Sequence, residues 1–200
     1  MIESTPRKLA KADIRDGFRS GADDLDLWLT KYAWENQQAN NATTYVVVDG
    51  SRVVGYYAIA MSAVARAVVP ERLRQARPAQ IPCVLLARLA VDRDYQGRGL
   101  AWVLLRDALL RSVVASDGIG AAAVLVHCRD ENARRFYLHS GDFLESPLDP
   151  LQLMVPIKAL RRYLTAQIDE AVDAVGQPGD ELAELRSIAN VRLAEASDEW

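Results

Sequence analysis

Between Leu89 and Ala101 the sequence reads Leu-Ala-Val-Asp-Arg-Asp-Tyr-Gln-Gly-Arg-Gly-Leu-Ala, an apolar run that enters a loop holding Gly97 and Gly99 and leaves it on an amphipathic pattern. Glycines at such a place let the backbone turn until several N–H groups converge, and a helix start adds its partial positive charge. The result is a cradle for an anion, to which Arg98 adds a full charge, and a pyrophosphate is its natural guest. No Lys-Ser/Thr pair follows the glycines and Gly-x-Gly-x-x-Gly is not matched, so neither the Walker loop nor the dinucleotide fingerprint is present. Taken alone, the two glycines also fit a plain tight turn. Cys83 and Cys128 lie in apolar runs and read as buried thiols, and no zinc spacing occurs, so no metal is expected. His127 closes an apolar run, where it is either a general base or a structural histidine; His139 reads as structural.

The elements around this segment follow from periodicity. Leu25, Trp28, Leu29, Tyr32, Ala33 and Asn36 recur every three or four residues, which predicts a helix within 19–41 capped by Asp23 or Asp24. Strands are expected over Thr44–Val48 and Val53–Ile59, joined by a hairpin at Asp49-Gly50-Ser51-Arg52. Residues 66–82, with Pro70, Pro78 and Pro82, read as a short helix between loops, and Cys83–Val91 as a strand covered on both faces. A helix over Gly99–Val114 presents Leu100, Leu104 and Ala108 beside Ala101, Leu105 and Leu109, with Arg106, Asp107 and Arg111 opposite. A strand at Ala121–Cys128, a helix at Glu131–Ser140, a strand at Leu151–Val155 and a helix from Ile157 follow. This order is α/β, with a sheet partly antiparallel and partly parallel.

With 200 residues, half of them hydrophobic and 26% charged, the chain suits one globular domain and excludes wholesale disorder and a disulfide-stapled miniprotein. The amino terminus has charges throughout and no apolar run, which predicts no signal peptide, no membrane span and a cytoplasmic protein. Residues 165–200 hold nine acids against two bases, a net −7 that leaves roughly +4 on the rest of a chain of net −3. Two units are therefore expected: a domain over 1–164 and an acidic helical extension over 165–200, with Leu182, Leu185, Ile188 and Val191 as its apolar stripe.

Gln96-Gly97-Arg98-Gly99-Leu100-Ala101, after a strand and before a helix, resembles the acetyl-coenzyme A loop of the GNAT N-acetyltransferases, Gln/Arg-x-x-Gly-x-Gly/Ala. Phe136-Tyr137 followed by Gly141 and Phe143 resembles their second signature, a helix ending in Tyr and then Gly-Phe, although Asp142 here separates the last two. Further stretches narrow the likeness: Phe18-Arg-Ser-Gly21, Leu25-Asp-Leu-Trp-Leu29, Gly55-Tyr-Tyr-Ala-Ile-Ala60, Ile81-Pro82, Arg88-Leu-Ala-Val-Asp92, Val126-His127, Ser146-Pro147 and Leu153-Met-Val155. They are similar to the acetyltransferase toxins of bacterial toxin–antitoxin modules, over about residues 5–157. The resemblance implies the GNAT fold, a mixed and mostly antiparallel sheet with a central splayed parallel pair flanked by helices. It also implies acetyl-coenzyme A as co-substrate, the α-amine of aminoacyl-tRNA as acceptor, a ribbon-helix-helix antitoxin as partner, and a homodimer.

By the same resemblance Tyr137 is the proton donor to the departing thiolate, a phenol being a usable acid toward a thiol. Leu89, Ala90 and Val91 would pair with the pantetheine arm as an added strand. Gln96, Gly97, Arg98, Gly99, Leu100, Ala101 and Trp102 would hold the pyrophosphate, and Asn132 would reach the coenzyme. Contacts to tRNA would fall to Arg72, Arg74, Arg77, Arg93, Arg134 and Arg135, with Arg66 and Arg98 in the same dense set, while Arg88 reads as a fixed contact. The alternatives are an acetyltransferase of a small-molecule amine or protein N-terminus, and an inactive scaffold that holds a basic partner on the acidic tail.

Overall fold

The protein is described here by a computed structural model covering residues 5–163; the acidic extension expected over 165–200 lies outside the described residues. Residues up to Ile157 form one compact unit. Its strands are β1 (Arg7–Lys8), β2 (Thr43–Asp49), β3 (Arg52–Ala65), β4 (Gln80–Val91), β5 (Ala123–His127), β6 (Leu144–Glu145) and β7 (Gln152–Pro156). They make one sheet in the order β1-β2-β3-β4-β5-β7-β6. The β4–β5 pair is parallel and the other neighbours are antiparallel.

The hairpin stands where expected, but its turn is shorter than the predicted four-residue connection: Asp49 pairs with Arg52, and Gly50 takes φ +62°, a conformation that costs glycine little. β3 runs to Ala65, well past the expected Ile59, because its second half pairs with the first half of β4 from Met61↔Val84 to Ala65↔Gln80. That pairing recruits Pro82 into a strand and leaves only two 3-10 turns, Arg66–Val68 and Glu71–Leu73, where a short helix was expected. The arginine-rich loop is held by its own backbone instead: Arg74 donates to the carbonyls of Val69 and Ala67, and Arg66 to that of Arg77.

Helix α1 (Asp23–Leu27), a π-helical turn (Trp28–Tyr32) and α2 (Ala33–Gln38) occupy the first helical segment. Neither aspartate caps it. Ala22 is the capping residue, and the expected caps Asp23 and Asp24 fall inside the first turn, where carboxylates favour the helix dipole. The segment lies against β3 through Tyr56, whose ring contacts Phe18 edge-on and stacks on Trp28, and whose hydroxyl donates to Leu25 O at 2.8 Å. Helix α3 (Leu100–Ile119) buries Leu100, Leu104, Leu105, Ala108 and Leu109, as the pattern predicts. It approaches β3 at Gly55, where a Cβ would stand 3.0 Å from Leu104 Cδ1. Asp107 and Arg111 do not simply face solvent: Asp107 accepts from the Tyr57 hydroxyl and from Arg111, and the Arg111 guanidinium lies 4.2 Å from the Tyr45 ring centroid. Helix α4 (Glu131–His139) is capped by Asp130, which accepts from Ala133 N–H at 2.8 Å.

At the end of β4, Asp92 is fully buried and accepts from Arg19 N–H, Arg52 Nη2 and Asp94 N–H, each at 3.1 Å. One carboxylate thereby ties the amino-terminal segment, the hairpin and the glycine loop together. An Asp92→Asn protein keeps the shape but loses the charge and turns an acceptor into a donor, so urea unfolding should report a loss of about 1–3 kcal/mol. Unchanged stability would show that this junction is held by other contacts.

Candidate active site

β4 has an extra residue at Ala87: the register with β3 passes from Ala58↔Arg88 to Ile59↔Leu86. The parallel ladder to β5 runs only from Cys83↔Ala123 to Leu86↔Val126, so the two central strands part where the bulge bends β4. Asp92 N–H reaches Val54 O, and strand alternation therefore turns the backbone groups of Ala90 toward β3 and those of Leu89 and Val91 toward the gap. A cleft of about 500 Å³ opens there, with β4 from Ala87 to Val91 as one wall and Phe136 and Tyr137 of α4 opposite.

The sequence-predicted residues divide by place. Leu89, Ala90, Val91, Gln96, Ala101, Asn132 and Tyr137 line the cleft. Gly97 and Gly99 are not in its lining but lie in the chain between the lining residues Gln96 and Ala101, at φ +73° and +78°, and a Cβ on either would meet nothing of the protein within 4 Å. The space beside the loop is thus open and the demand for glycine is conformational. Trp102 and Val103 N–H donate to Gly99 O, the first bonds of α3, so the amides of Leu100 and Ala101 have no intrahelical acceptor. The Gln96 side chain serves the loop, its amide donating to Ser20 O and Val91 O, both at 2.9 Å. Arg98 folds back over the Tyr95 ring and donates to Asp94 O. Asn132 accepts from Arg135, which leaves its amide N–H groups uncommitted among the described residues.

Tyr137 is buried between Phe136 and Phe143, at ring-centroid distances of 5.3 and 5.5 Å. The extra Asp142 does not displace Phe143, which packs inward. No hydrogen bond engages the Tyr137 hydroxyl among the described residues, and burial pushes its ionisation well above the ordinary phenol value. It is a neutral donor facing the cleft. Burial likewise raises Cys128 and Cys83 to about 11, which keeps both thiols protonated and unreactive. His127 is exposed on the cleft wall, and among the described residues no carboxylate bonds to it or orients it.

Of the arginines assigned to an RNA contact, Arg74 is tied to its own loop, Arg134 is paired with Glu131 and Glu145, and Arg135 bonds within α4. Arg93 is exposed beside Gly21. Arg72 is exposed and makes no bond among the described residues, and Arg77 is half-buried. The sequence did not single out Arg129, which lines the cleft and reaches Asp24 at 2.9 Å. Arg88, read as a fixed contact, also lines the cleft; its guanidinium lies 5.8 Å from the Trp28 ring centroid and its Nε is buried without a partner. Only a three-dimensional gap between two strands brings these two together.

Comparison with known proteins gives this geometry its context. The model of the Acetyltransferase (GNAT) family matches residues 11–141. A tRNA-acetylating toxin of Mycobacterium tuberculosis is 47% identical over 161 residues, 80% of this chain and 96% of that protein. The structure of AtaT complexed with acetyl-methionyl-tRNAfMet superimposes with a TM-score of 0.75 at 26% identity, over 82% of this chain and 100% of that one. A variant of AtaT bound to acetyl-CoA and to the C-terminus of the antitoxin AtaR matches with a TM-score of 0.69 at 26% identity, over 82% and 99% of the two chains. A family match across most of the described domain, with the strands parting above a glycine loop and a tyrosine, leads to one conclusion: the chain belongs to the GNAT family of acetyltransferases.

Proposed function

We propose that this protein transfers the acetyl group of acetyl-coenzyme A to the α-amino group of aminoacyl-tRNA and so blocks translation, as the toxin of a pair whose antitoxin is of the ribbon-helix-helix type. The observation that carries this reading is the 47% identity that runs through 96% of a tRNA-acetylating toxin. Support comes from AtaT, a 26% identical structural relative, which was captured with an acetylated aminoacyl-tRNA in one structure and with acetyl-CoA and an antitoxin segment in another. A homodimer in the cytoplasm fits the same reading; no helix among the described residues is long and apolar enough to cross a membrane.

In this account the open N–H and C=O of Leu89 and the open N–H of Val91 bond the pantetheine arm as a further strand would, the Val91 carbonyl being taken by Gln96. The amides from Gly97 to Ala101 take the pyrophosphate at the α3 terminus, whose first turn holds no acid to repel it. The acceptor amine approaches between α1 and the end of β5, attacks the acetyl carbonyl, and the C–N bond forms as the C–S bond breaks. Tyr137 hands its proton to the departing sulfur, the surplus proton of the amine leaves to solvent, and solvent returns a proton to the Tyr137 phenolate, which restores the acid for the next cycle. Among the described residues no carboxylate orients His127, and it need not act, because an α-amine titrates near ~7.7–8.0 and is partly neutral in the cell.

Tyr137→Phe should bind acetyl-coenzyme A normally and lose turnover by roughly a hundredfold or more, since it removes only a proton given in the transition state. Wild-type turnover in that protein would reject the assignment. The pH profile follows from the direction of the shift: a donor with a raised ionisation keeps its proton below that raised value and loses it only above. Thus kcat/KM should rise as the acceptor amine deprotonates near ~8 and stay level to about pH 9.5, whereas an alkaline decline before that point would contradict a buried phenol as acid. For the RNA contact, Arg72 and Arg77 are the informative pair, because removing Arg74 would also untie its loop. Replacing both with Ala should raise KM for charged tRNA and flatten its salt dependence, with little change on a free small amine. Acetyl label that enters small amines but never charged tRNA would favour a metabolite or N-terminal acetyltransferase.

A further inference from the structure

Trp102 is the third residue of α3 after its Gly99 cap, and 48% of it is exposed. A half-exposed indole at a helix start, beside a second aromatic ring, offers a flat apolar surface on which a ring-shaped ligand gains by stacking. Its described ring partner is Phe136, at 6.1 Å between centroids and 68° between planes. The contact is edge-on, so Phe136 does not stack flat on the indole, and about half of Trp102 is left exposed. Phe136 itself lines the cleft, so the two rings form an aromatic ledge that starts at the cleft and continues onto the first turn of α3.

Chain direction fixes what would reach that ledge. With the thioester at Tyr137, the pantetheine along Leu89 and Val91, and the pyrophosphate on the amides of 97–101, the group that follows is the nucleoside. We infer that Trp102, with Phe136 at its edge, is the stacking surface for the adenine ring of the coenzyme, so that its side chain selects the nucleotide end while its backbone belongs to the phosphate cradle. This rests on the acetyltransferase reading above and assigns one residue's side chain within it. An indole face suits a purine because both are flat, polarizable and apolar over their faces, and stacking needs no particular hydrogen-bond pattern.

Calorimetry with the full chain and three probes tests it: coenzyme A, 3′-dephospho-coenzyme A and 4′-phosphopantetheine, the last lacking adenosine. Trp102→Ala should weaken coenzyme A and its dephospho form equally, by roughly tenfold, and leave 4′-phosphopantetheine unchanged. Trp102→Phe, which keeps a π-face, should recover most of the loss. A Trp102→Ala protein that binds coenzyme A as the wild type does, or that loses 4′-phosphopantetheine to the same extent, overturns the stacking role. Loss confined to the form bearing the 3′-phosphate also overturns it, because the side chain would then be reading charge. If wild-type protein bound none of the three, the acetyltransferase reading itself would fall, an outcome distinct from failure of the ledge.

Discussion

The parallel ladder between β4 and β5 stops at Leu86 and Val126, and the extra residue at Ala87 bends β4 away from its partner there. In the middle of a sheet this is an expensive arrangement, because backbone N–H and C=O groups normally find partners. Leu89 turns both of its groups and Val91 its N–H toward an open cleft, where an extended amide-bearing ligand can supply the missing bonds, while the Val91 carbonyl accepts from Gln96. The fold thus holds a strand-shaped vacancy at its centre, and the chemistry is arranged along it.

The vacancy must also be kept from closing. Asp92 does this from below, drawing Arg19, Arg52 and the start of the glycine loop onto one buried carboxylate. Gln96 does it from the side, bridging Ser20 and Val91. On the far wall Phe136 and Phe143 flank Tyr137, so the phenol is fixed by packing, and among the described residues its hydroxyl has no hydrogen-bond partner. The π-helical turn at Trp28–Tyr32 stacks Trp28 on Tyr56 and brings its ring centroid within 5.8 Å of the Arg88 guanidinium, which itself lines the cleft.

What the sequence shows and what it hides divide along physical lines. Local rules were legible: the hairpin around Gly50, the α3 stripe of Leu100, Leu104 and Leu105, and the strand-loop-helix step around Gly97 and Gly99 all follow from short-range periodicity and backbone preference. The second half of β3 was not, because Ala60, Ser62 and Ala63 carry little strand signal and become a strand only through long-range pairing with β4. Fates of charged side chains were equally hidden. Arg74, Arg134 and Arg135 look in sequence like Arg72, and only the fold shows that the first three are engaged by Val69, by Glu145 and by Asn132. Arg129 and Arg88 stand far apart in the chain and meet one cleft only because two strands part.

The most direct test of this account is amide hydrogen exchange at three successive residues of β4, followed by NMR with and without acetyl-coenzyme A. The Ala90 N–H, bonded to β3, should be protected in both states, whereas those of Leu89 and Val91 should exchange readily in the free protein and slow markedly when the coenzyme binds. Leu89 and Val91 amides already protected in the free protein, or unaffected by saturating acetyl-coenzyme A, would contradict the claim that the parted strands are a place made for the coenzyme's arm.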